Sequence, residues 1–367
     1  MTKHDYKQNA YYMLYLIRCV LHNKIPAKEK LDKMNLLQLY EVAQAHSLTA
    51  ITAYALEYGG INDTKFKESK SKAIRKAIYF EIERSAITSK LEKAGIWYMP
   101  LKGIILKEYY PQTSMREMYD NDILFDNKYI AEVKQIMRSL GYHMSSEISG
   151  HDLNFLKEPV LNFEMHYTLF TEYENINLHR YYSEISERLM KSSKYERKMT
   201  NEDFYIYLTA HEYKHFVESG IGLKVLVDDF VFLDKFEHDL DWDYINTELD
   251  RLGLYEYEKE RRNLSQKLFS GIKLNEKKKK MLDYYIFSSS YGTQTNRIVS
   301  DLRKEKGSKI KYIFHRTFVS LDVVRIKYPY FYKHKFLIPI LPIYRAVISL
   351  KHNHKNIINE IETLIKL

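Results

Sequence analysis

The 367-residue sequence contains little cysteine, glycine or proline. Its one cysteine, Cys19, excludes an intrachain disulfide, and the apolar stretch around it predicts a small buried side chain. The 12 glycines and 7 prolines fall below the usual shares of about 7% and 5%. Because these residues make turns, their scarcity favours long helices over an all-β fold of many short strands.

Long hydrophobic runs are also missing. The longest one, residues 336–344, has nine residues and includes two prolines. A membrane-spanning helix needs roughly 20 apolar residues. The first ten residues, MTKHDYKQNA, lack the apolar stretch of a signal peptide. Together with the single cysteine, these absences predict a soluble protein of the reducing cytoplasm.

The first 300 residues carry no excess of positive charge. They contain 43 Lys/Arg and 43 Asp/Glu, whereas residues 301–367 contain 14 and 5, so the net charge of +9 belongs to the last segment. Within residues 303–335, basic side chains alternate with Tyr and Phe. This pattern suits RNA or another anionic partner, a membrane surface included, but we favour the alternative of a solvated helical face over core aromatics.

Hydrophobic periodicity divides the chain into four regions. Residues 1–70 and 176–300 follow a helical period. Residues 71–175 alternate between strands and helices, and residues 301–367 form a basic, aromatic-rich region of broken helices. The sequence therefore predicts a helix-rich α+β fold, in which an α/β core is flanked by N- and C-terminal helical regions.

Several individual elements are predicted within these regions. An amphipathic helix over 69–94 is expected to bury a face that includes Ile78 and Ile82. Further helices are expected near 128–140, 178–195, 202–218, 222–235, 241–263 and 276–303. Strands are expected near 96–100, 120–125, 151–157 and 160–169.

Two aspartates at the start of the second strand form a candidate metal site. Asp120 and Asp122 are two residues apart, and side chains at this spacing share one face of a strand. Two carboxylates on one face repel each other unless a cation lies between them, which favours Mg²⁺. The apolar residues that follow anchor the strand and leave the acids at its open end. The alternative interpretation is a solvated turn.

A third acid, Glu164, lies in an otherwise apolar strand. Burying its charge without a partner would cost several kcal/mol, so it must face water or a partner. On a neighbouring strand it would complete a three-carboxylate cluster of the kind that binds two Mg²⁺ ions and supports in-line nucleotidyl transfer.

Upstream, Lys102 and Gly103 begin a helix directly after a strand, which suits a phosphate group. Arg116 is close enough in sequence to Asp120 to reach the same triphosphate. The alternatives are a surface Lys102 and an Arg116 paired with a local acid.

The order of these motifs resembles a known family. Leu-Lys-Gly at 101–103, Tyr-Pro at 110–111, Arg116 before Asp120-x-Asp122, and Glu164-x-His166 resemble the uncharacterised bacterial nucleotidyltransferase family of the DNA polymerase β superfamily. The resemblance continues through 210–216 and 220–228 and extends weakly to 291–293. It implies a polymerase-β-like core with a mixed sheet, which transfers an NMP from an NTP, with ATP expected, to an acceptor hydroxyl. Mg²⁺ or Mn²⁺ would be required, and pyrophosphate would be released.

The resemblance also implies roles for individual residues. Three acids would hold the metal: Asp120, Asp122 and Glu164. Four residues would bind the nucleotide: Lys102, Gly103, Arg116 and, as a weaker candidate, Lys224. Five residues would line the cleft: His166, His211, Lys214, His215 and Asp228. Two positions depart from the family pattern, since Asn121 replaces an aliphatic residue and Lys224 replaces an arginine. These departures would open the site slightly and weaken a bidentate phosphate contact.

The acceptor and the catalytic competence of the chain are separate questions. Acceptors compatible with this chemistry are a small molecule, an RNA and a protein hydroxyl. The rival interpretation is a catalytically silent nucleotidyltransferase-fold module that binds RNA or a protein partner through its basic C-terminal region. Pyrophosphate release from an NTP would distinguish the two.

A second motif, His211-Glu212-x-x-His215, has the spacing of a zinc protease on a helix. No third ligand stands at the usual distance beyond His215, where the sequence has Ile221. We therefore disfavour zinc. Two interpretations stay open for these histidines: they line the cleft, or they pack between helices.

Overall fold

The computed structural model of the protein describes residues 1–145, 150–172, 175–289, 308–319 and 321–348, and the single residues 298, 301, 302 and 364. The chain divides into two compact units. The first comprises residues 1–213 and 222–290, and the second comprises residues 214–221 and 291–367. The candidate catalytic residues before position 213 all belong to the first unit. The four-region division of the sequence stays a prediction.

The first unit begins with five helices, as the scarcity of glycine and proline predicts. They are α1 (Lys3–Leu21), α2 (Lys28–Leu31), α3 (Leu36–Ala45), α4 (Thr49–Tyr58) and α5 (Thr64–Lys93). The 30-residue α5 begins at Asp63, whose side chain accepts a hydrogen bond from the Phe66 amide. It ends before Gly95, which has a φ of +74° and so terminates the helix without strain.

A five-stranded sheet follows α5. Its strands are β1 (Tyr98–Pro100), β2 (Asn121–Phe125), β3 (His143–Met144), β4 (Asp152–Lys157) and β5 (Leu161–His166), in the order β1-β2-β5-β4-β3. β2 and β5 are parallel and the other neighbours are antiparallel, which confirms the predicted mixed sheet. Two helices connect the strands, α6 (Gly103–Leu106) and α7 (Ile130–Ser139).

Each face of the sheet packs on helices. Ile123 and Phe125 of β2 lie in an apolar cluster with residues of α5 and α7. Leu124, on the opposite face, lies in a cluster with residues of the later helices. Because side chains alternate along a strand, Asp122 shares the face of Leu124 and Asn121 shares the face of Ile123. The candidate acids therefore face the helices that follow the sheet.

Further helices follow the sheet, and they lie in the first unit except for residues 214–218, which belong to the second. They are α8 (Ile176–Tyr182), α9 (Ile185–Arg188), α10 (Asn201–Glu218), α11 (Lys224–Phe236), α12 (Trp242–Arg251), α13 (Tyr255–Phe269) and α14 (Glu276–Ser288). A short hairpin of β6 (Met190–Lys191) and β7 (Arg197–Lys198) separates α9 from α10. The result is the predicted helix-rich α+β architecture.

Three local expectations are wrong. The helix predicted over 178–195 is two short helices and the β6–β7 hairpin. The helix predicted over 241–263 is interrupted at Gly253, whose φ of +69° lies in the left-handed region that favours glycine. On α5, Ile78 and Ile82 are 55% and 60% exposed, because the helix turns Phe80 and Ile87 towards the core instead.

The second unit contains the predicted broken helices among its described residues. They are Lys309–Thr317, Leu321–Lys327 and Pro329–Lys333, a 3₁₀ segment over Lys335–Ile340, and a helix over 341–348. Pro329 occupies the first turn of its helix, where no intrahelical hydrogen bond is lost.

The predicted helix over 276–303 is confirmed only to Ser288. Residues 291–293 and 303–307 lie outside the described residues. None of the helices described is both long and apolar enough to cross a membrane.

Candidate active site

The register of the parallel strands brings two of the predicted acids together. Asp122 of β2 lies directly opposite Glu164 of β5, and the next pair on this face is Leu124 opposite His166. Facing residues on neighbouring strands have closely spaced Cβ atoms. The sheet therefore joins acids that are 42 positions apart in the sequence.

Asp122 is held by two cationic or polar partners. Its Oδ1 accepts a hydrogen bond from Lys102 Nζ at 2.7 Å and contacts His166 Nε2 at 2.8 Å. The side chain of Asp122 is almost fully buried, and burial alone would raise the pKa of its carboxyl. The Lys102 charge and the contact with His166 outweigh burial and hold that pKa well below its ordinary value.

For Glu164, in contrast, the effects that raise the pKa of the carboxyl outweigh those that lower it. Burial, together with the negative charges of Asp122 and Asp120, raises the pKa of Glu164 to about 9. Burial and Asp122 likewise raise the pKa of Asp120. Glu164 Oε2 lies 3.7 Å from His166 Nε2. If all three carboxyls were ionised, their negative charge would exceed what the Lys102 ammonium neutralises, so the protein alone favours the protonated form of Glu164.

Three side chains at this point have the spacing of metal ligands. One potential ligand atom from each of Asp122, Glu164 and His166 lies within 4.8 Å of the others. Asp120 lies just before β2 and belongs to neither group of potential ligands found among the described residues. Its charge still acts on Asp122 and Glu164 through space.

A second group of potential ligands shares His166. His151 and Asp152, at the start of β4, have ligand atoms within 4.8 Å of one another and of His166. The two imidazole rings stack, with centroids 5.5 Å apart and an angle of 21° between their planes. Sequence reasoning missed this group, since its only local signal is a His-Asp pair at a strand end.

Lys102 has a strained backbone. It precedes α6 with φ of +44° and ψ of −113°, a conformation that is sterically unfavourable for a residue with a Cβ atom. Such conformations cost of order 1–3 kcal/mol and cluster at functional sites. With this backbone conformation, the Lys102 side chain lies beside Asp122 and the helix begins at Gly103.

Gly103 makes room for Arg116. A Cβ atom at position 103 would overlap the Arg116 guanidinium and lie 3.5 Å from Met118. Arg116 cannot move away easily, because its Nε and Nη2 donate to the two carboxylate oxygens of Asp228 on α11 at 2.8 and 2.9 Å. Asp228 Oδ1 also accepts a hydrogen bond from the Tyr110 hydroxyl at 2.7 Å. Arg116 therefore has an acidic partner, but one 112 positions away rather than a local one.

Lys224, at the start of α11, is the weaker nucleotide-binding candidate. Its Nζ donates to the Glu117 carbonyl at 3.3 Å. Burial and the nearby Arg116 charge lower the pKa of Lys224. Asp120 and Asp228 act in the opposite direction, which places Lys224 within electrostatic reach of both acids.

Helix α10 brings a further side chain to the acids. Tyr207 is buried, and burial raises the pKa of its hydroxyl, while the charges of Lys102, Asp122 and Glu164 also act on it. The His211 ring lies 6.2 Å from the Tyr207 ring. Sequence reasoning missed Tyr207, because nothing in its local pattern separates it from a core tyrosine. Lys214 and His215 belong to the second unit, and their cleft role stays a prediction.

The acid of the zinc-like motif has a different environment. Glu212 forms an ion pair with Arg261 of α13, whose Nη2 also donates to Asp229 at 2.8 Å and to Thr209 at 3.2 Å. The Arg261 side chain is 1% exposed. A carboxylate paired with a buried arginine is not available as the general base of a protease. The structure therefore gives no support to a zinc site at this motif.

Asn121, one of the two departures from the family pattern, points away from the acids. Its Oδ1 accepts a hydrogen bond from Arg84 of α5 at 3.1 Å. The side chain is fully buried, and its Nδ2 has no hydrogen-bond partner among the described residues. Its position on the α5 side gives it no direct contact with the pairing of Asp122 and Glu164.

A comparison with known protein families finds a match to this chain. The uncharacterised nucleotidyltransferase family matches residues 32–270, which is well over half of the chain. The chain belongs to this family. The match spans the sheet, the acids and the residues from Lys102 to Asp228. Neither the curated proteins nor the solved structures contain a match to this chain.

Proposed function

We propose that the protein is a metal-dependent enzyme that transfers an NMP from an NTP, with ATP expected, to an acceptor hydroxyl. The observation that carries this proposal is the pairing of Asp122 with Glu164 across parallel strands, with His166 beside them. Family membership supports the nucleotidyltransferase class of reaction. The sheet and the residue before β2 supply the carboxylates, and the nearby cations are Lys102 before α6, Arg116 in the segment before β2 and Lys224 of α11.

The chemistry of the donor set fits Mg²⁺ or Mn²⁺. Carboxylate oxygens suit both ions, and the imidazole of His166 suits Mn²⁺ better than Mg²⁺. The acids outnumber the one ammonium that touches them, so a divalent cation would relieve their repulsion. We propose that Asp122 and Glu164 hold the metal, that Asp120 joins them, and that His166 orients the Asp122 carboxylate.

The reaction proposed is an in-line displacement. The acceptor oxygen forms a bond to the α-phosphorus as the bond from that phosphorus to the bridging oxygen of the β-phosphate breaks, and pyrophosphate leaves. The bound cation would stabilise the negative charge on the transferring and leaving oxygens. Glu164 either shares the metal with Asp122 or takes the proton of the acceptor hydroxyl.

The cations beside the acids would bind the triphosphate. Lys102 has a flexible stem, so its ammonium can move from Asp122 to a phosphate oxygen. Arg116 is already oriented by Asp228 and lies against Gly103, where the missing Cβ allows a close approach. Lys224 would contribute a further, weaker charge.

Ligand-induced stabilisation tests the metal and nucleotide assignments together. We expect an NTP with Mg²⁺ or Mn²⁺ to raise the melting temperature of the wild-type protein, since a ligand that binds only the folded state stabilises it. Asp122→Asn should abolish the rise, because it removes the central metal ligand while keeping the shape of the side chain. Asp250→Asn, on the exposed side of α12, makes the same chemical change away from the site and should retain the rise.

Pyrophosphate release then tests the reaction. The four NTPs, labelled at the α-phosphate or the γ-phosphate, would be incubated with small-molecule, RNA and protein acceptors. We expect the α-label to move to one acceptor class and the γ-label to appear in pyrophosphate. Equal melting shifts in wild type and Asp122→Asn would overturn the metal assignment, and release of the γ-label as phosphate alone would overturn the reaction.

A second candidate function concerns the basic C-terminal region. In its described part, four aromatic side chains near Lys and Arg residues are more than half exposed: Phe314, Phe318, Tyr330 and Phe336. Exposed rings and basic side chains together suit single-stranded RNA. Under this proposal, a labelled RNA should bind with an affinity that falls steeply as salt rises, in the absence of any NTP. Absence of binding at low salt would exclude it.

A further inference from the structure

A cavity of about 210 Å³ lies between α5 and the segment that precedes β2. Helix α5 contributes Lys72 and Lys76 to its wall, and the segment 113–119 contributes Arg116, Glu117 and Tyr119. This volume accommodates phosphate groups and lies below the roughly 300 Å³ at which pockets for drug-sized ligands begin.

Most charged groups of the cavity wall already have partners. The Glu117 carboxylate accepts hydrogen bonds from the Thr49 hydroxyl and the Ala50 amide, both at 2.6 Å, and so caps the N-terminus of α4. Lys107 donates to Glu81 at 3.0 Å. Arg116 is bound to Asp228. The one acid of the wall is therefore committed to a helix end.

Lys72 and Lys76 have no such partner. They are four residues apart on α5, so they lie on one face of the helix. Neither forms an ion pair with any residue that the structure describes. Lys76 Nζ lies 3.4 Å from the Tyr119 carbonyl and about 5 Å from the rings of Phe80 and Tyr119. Burial lowers the pKa of Lys76, because a half-buried ammonium without a carboxylate is costly.

The cavity lies beside the candidate catalytic residues. Arg116 and Met118, which line it, are also the side chains that Gly103 approaches most closely. Tyr119 directly precedes Asp120 in the sequence, and the Asp120 charge acts on Lys76. An anion in the cavity would therefore lie next to the strand that carries the metal-binding acids.

We infer that this cavity binds phosphate groups of a substrate, with Lys72 and Lys76 as the contacts. The inference rests on the proposed function for its place in the reaction, since the phosphate belongs either to the NTP or to a phosphorylated acceptor. Two lysines on one helix face that form no ion pair with a described residue, an adjacent arginine and a small volume suit a phosphate group. The lysines would orient that substrate towards the acids.

Binding of inorganic anions tests the inference without knowledge of the acceptor. Inorganic phosphate, pyrophosphate and tripolyphosphate would be titrated calorimetrically into wild type, Lys72→Met and Lys76→Met without divalent metal. Methionine keeps the length of the side-chain stem and removes the charge. We expect each variant to weaken binding of the best anion by about tenfold, the loss of one charge-assisted hydrogen bond. Lys67→Met, exposed on α5 outside the cavity, should bind as wild type does.

The source of the phosphate is distinguished by competition. If it belongs to the NTP, ATP displaces the anion and Lys76→Met weakens ATP binding by the same factor. If it belongs to the acceptor, ATP and the anion bind together and Lys76→Met leaves ATP binding unchanged. Wild-type affinity for all three anions in both lysine variants would overturn the inference.

The same experiment separates this inference from the proposed function. Asp122→Asn should lose metal-dependent ATP binding but keep anion binding in the cavity. If Asp122→Asn keeps the metal-dependent melting shift while Lys76→Met loses the anion, the proposed metal site fails and the cavity stands.

Discussion

Two clusters of buried acids in the first unit invite comparison, because each includes a short motif with metal-ligand spacing. At the sheet, Lys102 is hydrogen-bonded to Asp122 and acts on Glu164 only through its charge, and Glu164 keeps 22% of its side chain exposed. In the later helices, Glu212 and Asp229 share Arg261, which is 1% exposed. The comparison indicates that the cation paired with a buried acid is a better guide to the role of that acid than the short sequence motif in which it lies.

The two cations differ in chemistry as well as in exposure. Arg261 is a planar, permanently charged fork, which fixes both carboxylates at once. Lys102 is a single charge on a flexible stem and touches one oxygen of Asp122. We therefore interpret the helical cluster as an ion-pair network that stabilises the packing of the helices. We interpret the sheet cluster as a site where a metal ion can replace the Lys102 ammonium beside Asp122. Four predictions test this comparison, from the largest expected effect on stability to the smallest.

The largest effect is expected for Arg261→Met. It leaves Glu212 and Asp229 buried without their cation, which should lower the free energy of unfolding by about 3–5 kcal/mol. Urea unfolding measures the loss. Arg251→Met, 70% exposed, should change it by less than about 1 kcal/mol. Although the Arg261 variant should melt at a lower temperature than the wild type, an NTP with metal should still raise its melting temperature. Loss of that shift with little loss of stability would reverse the assigned roles of the clusters.

The pH dependence of stability should reveal the helical cluster next. Burial raises the pKa of Glu212 to about 8 and that of Asp229 to about 6. A carboxyl whose folded pKa is raised binds its proton more tightly in the folded state. Its stabilising contribution is therefore complete below the unfolded value near 4.5 and is lost as pH rises through 8.

We therefore expect the free energy of unfolding to fall by a few kcal/mol between about pH 5 and pH 8. Glu212→Gln, which cannot ionise, should flatten the part of this fall that lies above pH 6. Urea unfolding at a series of pH values measures it. A wild-type stability that rises over the same window would contradict the assignment.

A smaller effect is expected at Lys102. Lys102→Gly and Lys102→Ala both remove the ammonium from Asp122, but only glycine accepts a φ of +44° without strain. The glycine variant should therefore be more stable than the alanine variant by about 1 kcal/mol. Both should lose the NTP-dependent melting shift. Equal stability of the two would show that the backbone at this position carries no strain.

The smallest effect is expected for Asn121→Val. The change removes one hydrogen bond with Arg84 and also an amide nitrogen without a partner, so the two terms offset each other to within about 1 kcal/mol. Because Asn121 faces α5, the NTP-dependent shift should not change. A lost shift would mean that this departure from the family pattern does open the site.

Local patterns in the sequence predict the elements that carry the site. The strands β2 and β5, the amphipathic pattern of α5 and the start of α6 directly after a strand all leave short-range signals. The helix-rich α+β fold and the mixed sheet follow from them and from the family resemblance. The facing of Asp122 and Glu164, expected if their strands were neighbours, is what the register shows.

Long-range contacts leave no such signal. Arg116 and Asp228 are 112 positions apart, and Glu212 and Arg261 are 49 apart, so neither pair appears as a periodicity or a motif. Tyr207 has the pattern of a core residue and becomes notable only because β2 lies nearby. The break at Gly253 was missed because an isolated glycine in an amphipathic stretch is often tolerated within a helix.

The capping contact of Glu117 sets a limit on how this chain can be divided. Glu117 lies three positions before Asp120, and its carboxylate holds Thr49 and Ala50 at the start of α4. A fragment that began at residue 71, where the α/β pattern begins, would retain the acids but sever the segment before β2 from its anchor. An exchange of the amino-terminal helices between related chains would therefore need to preserve this contact with the segment before β2.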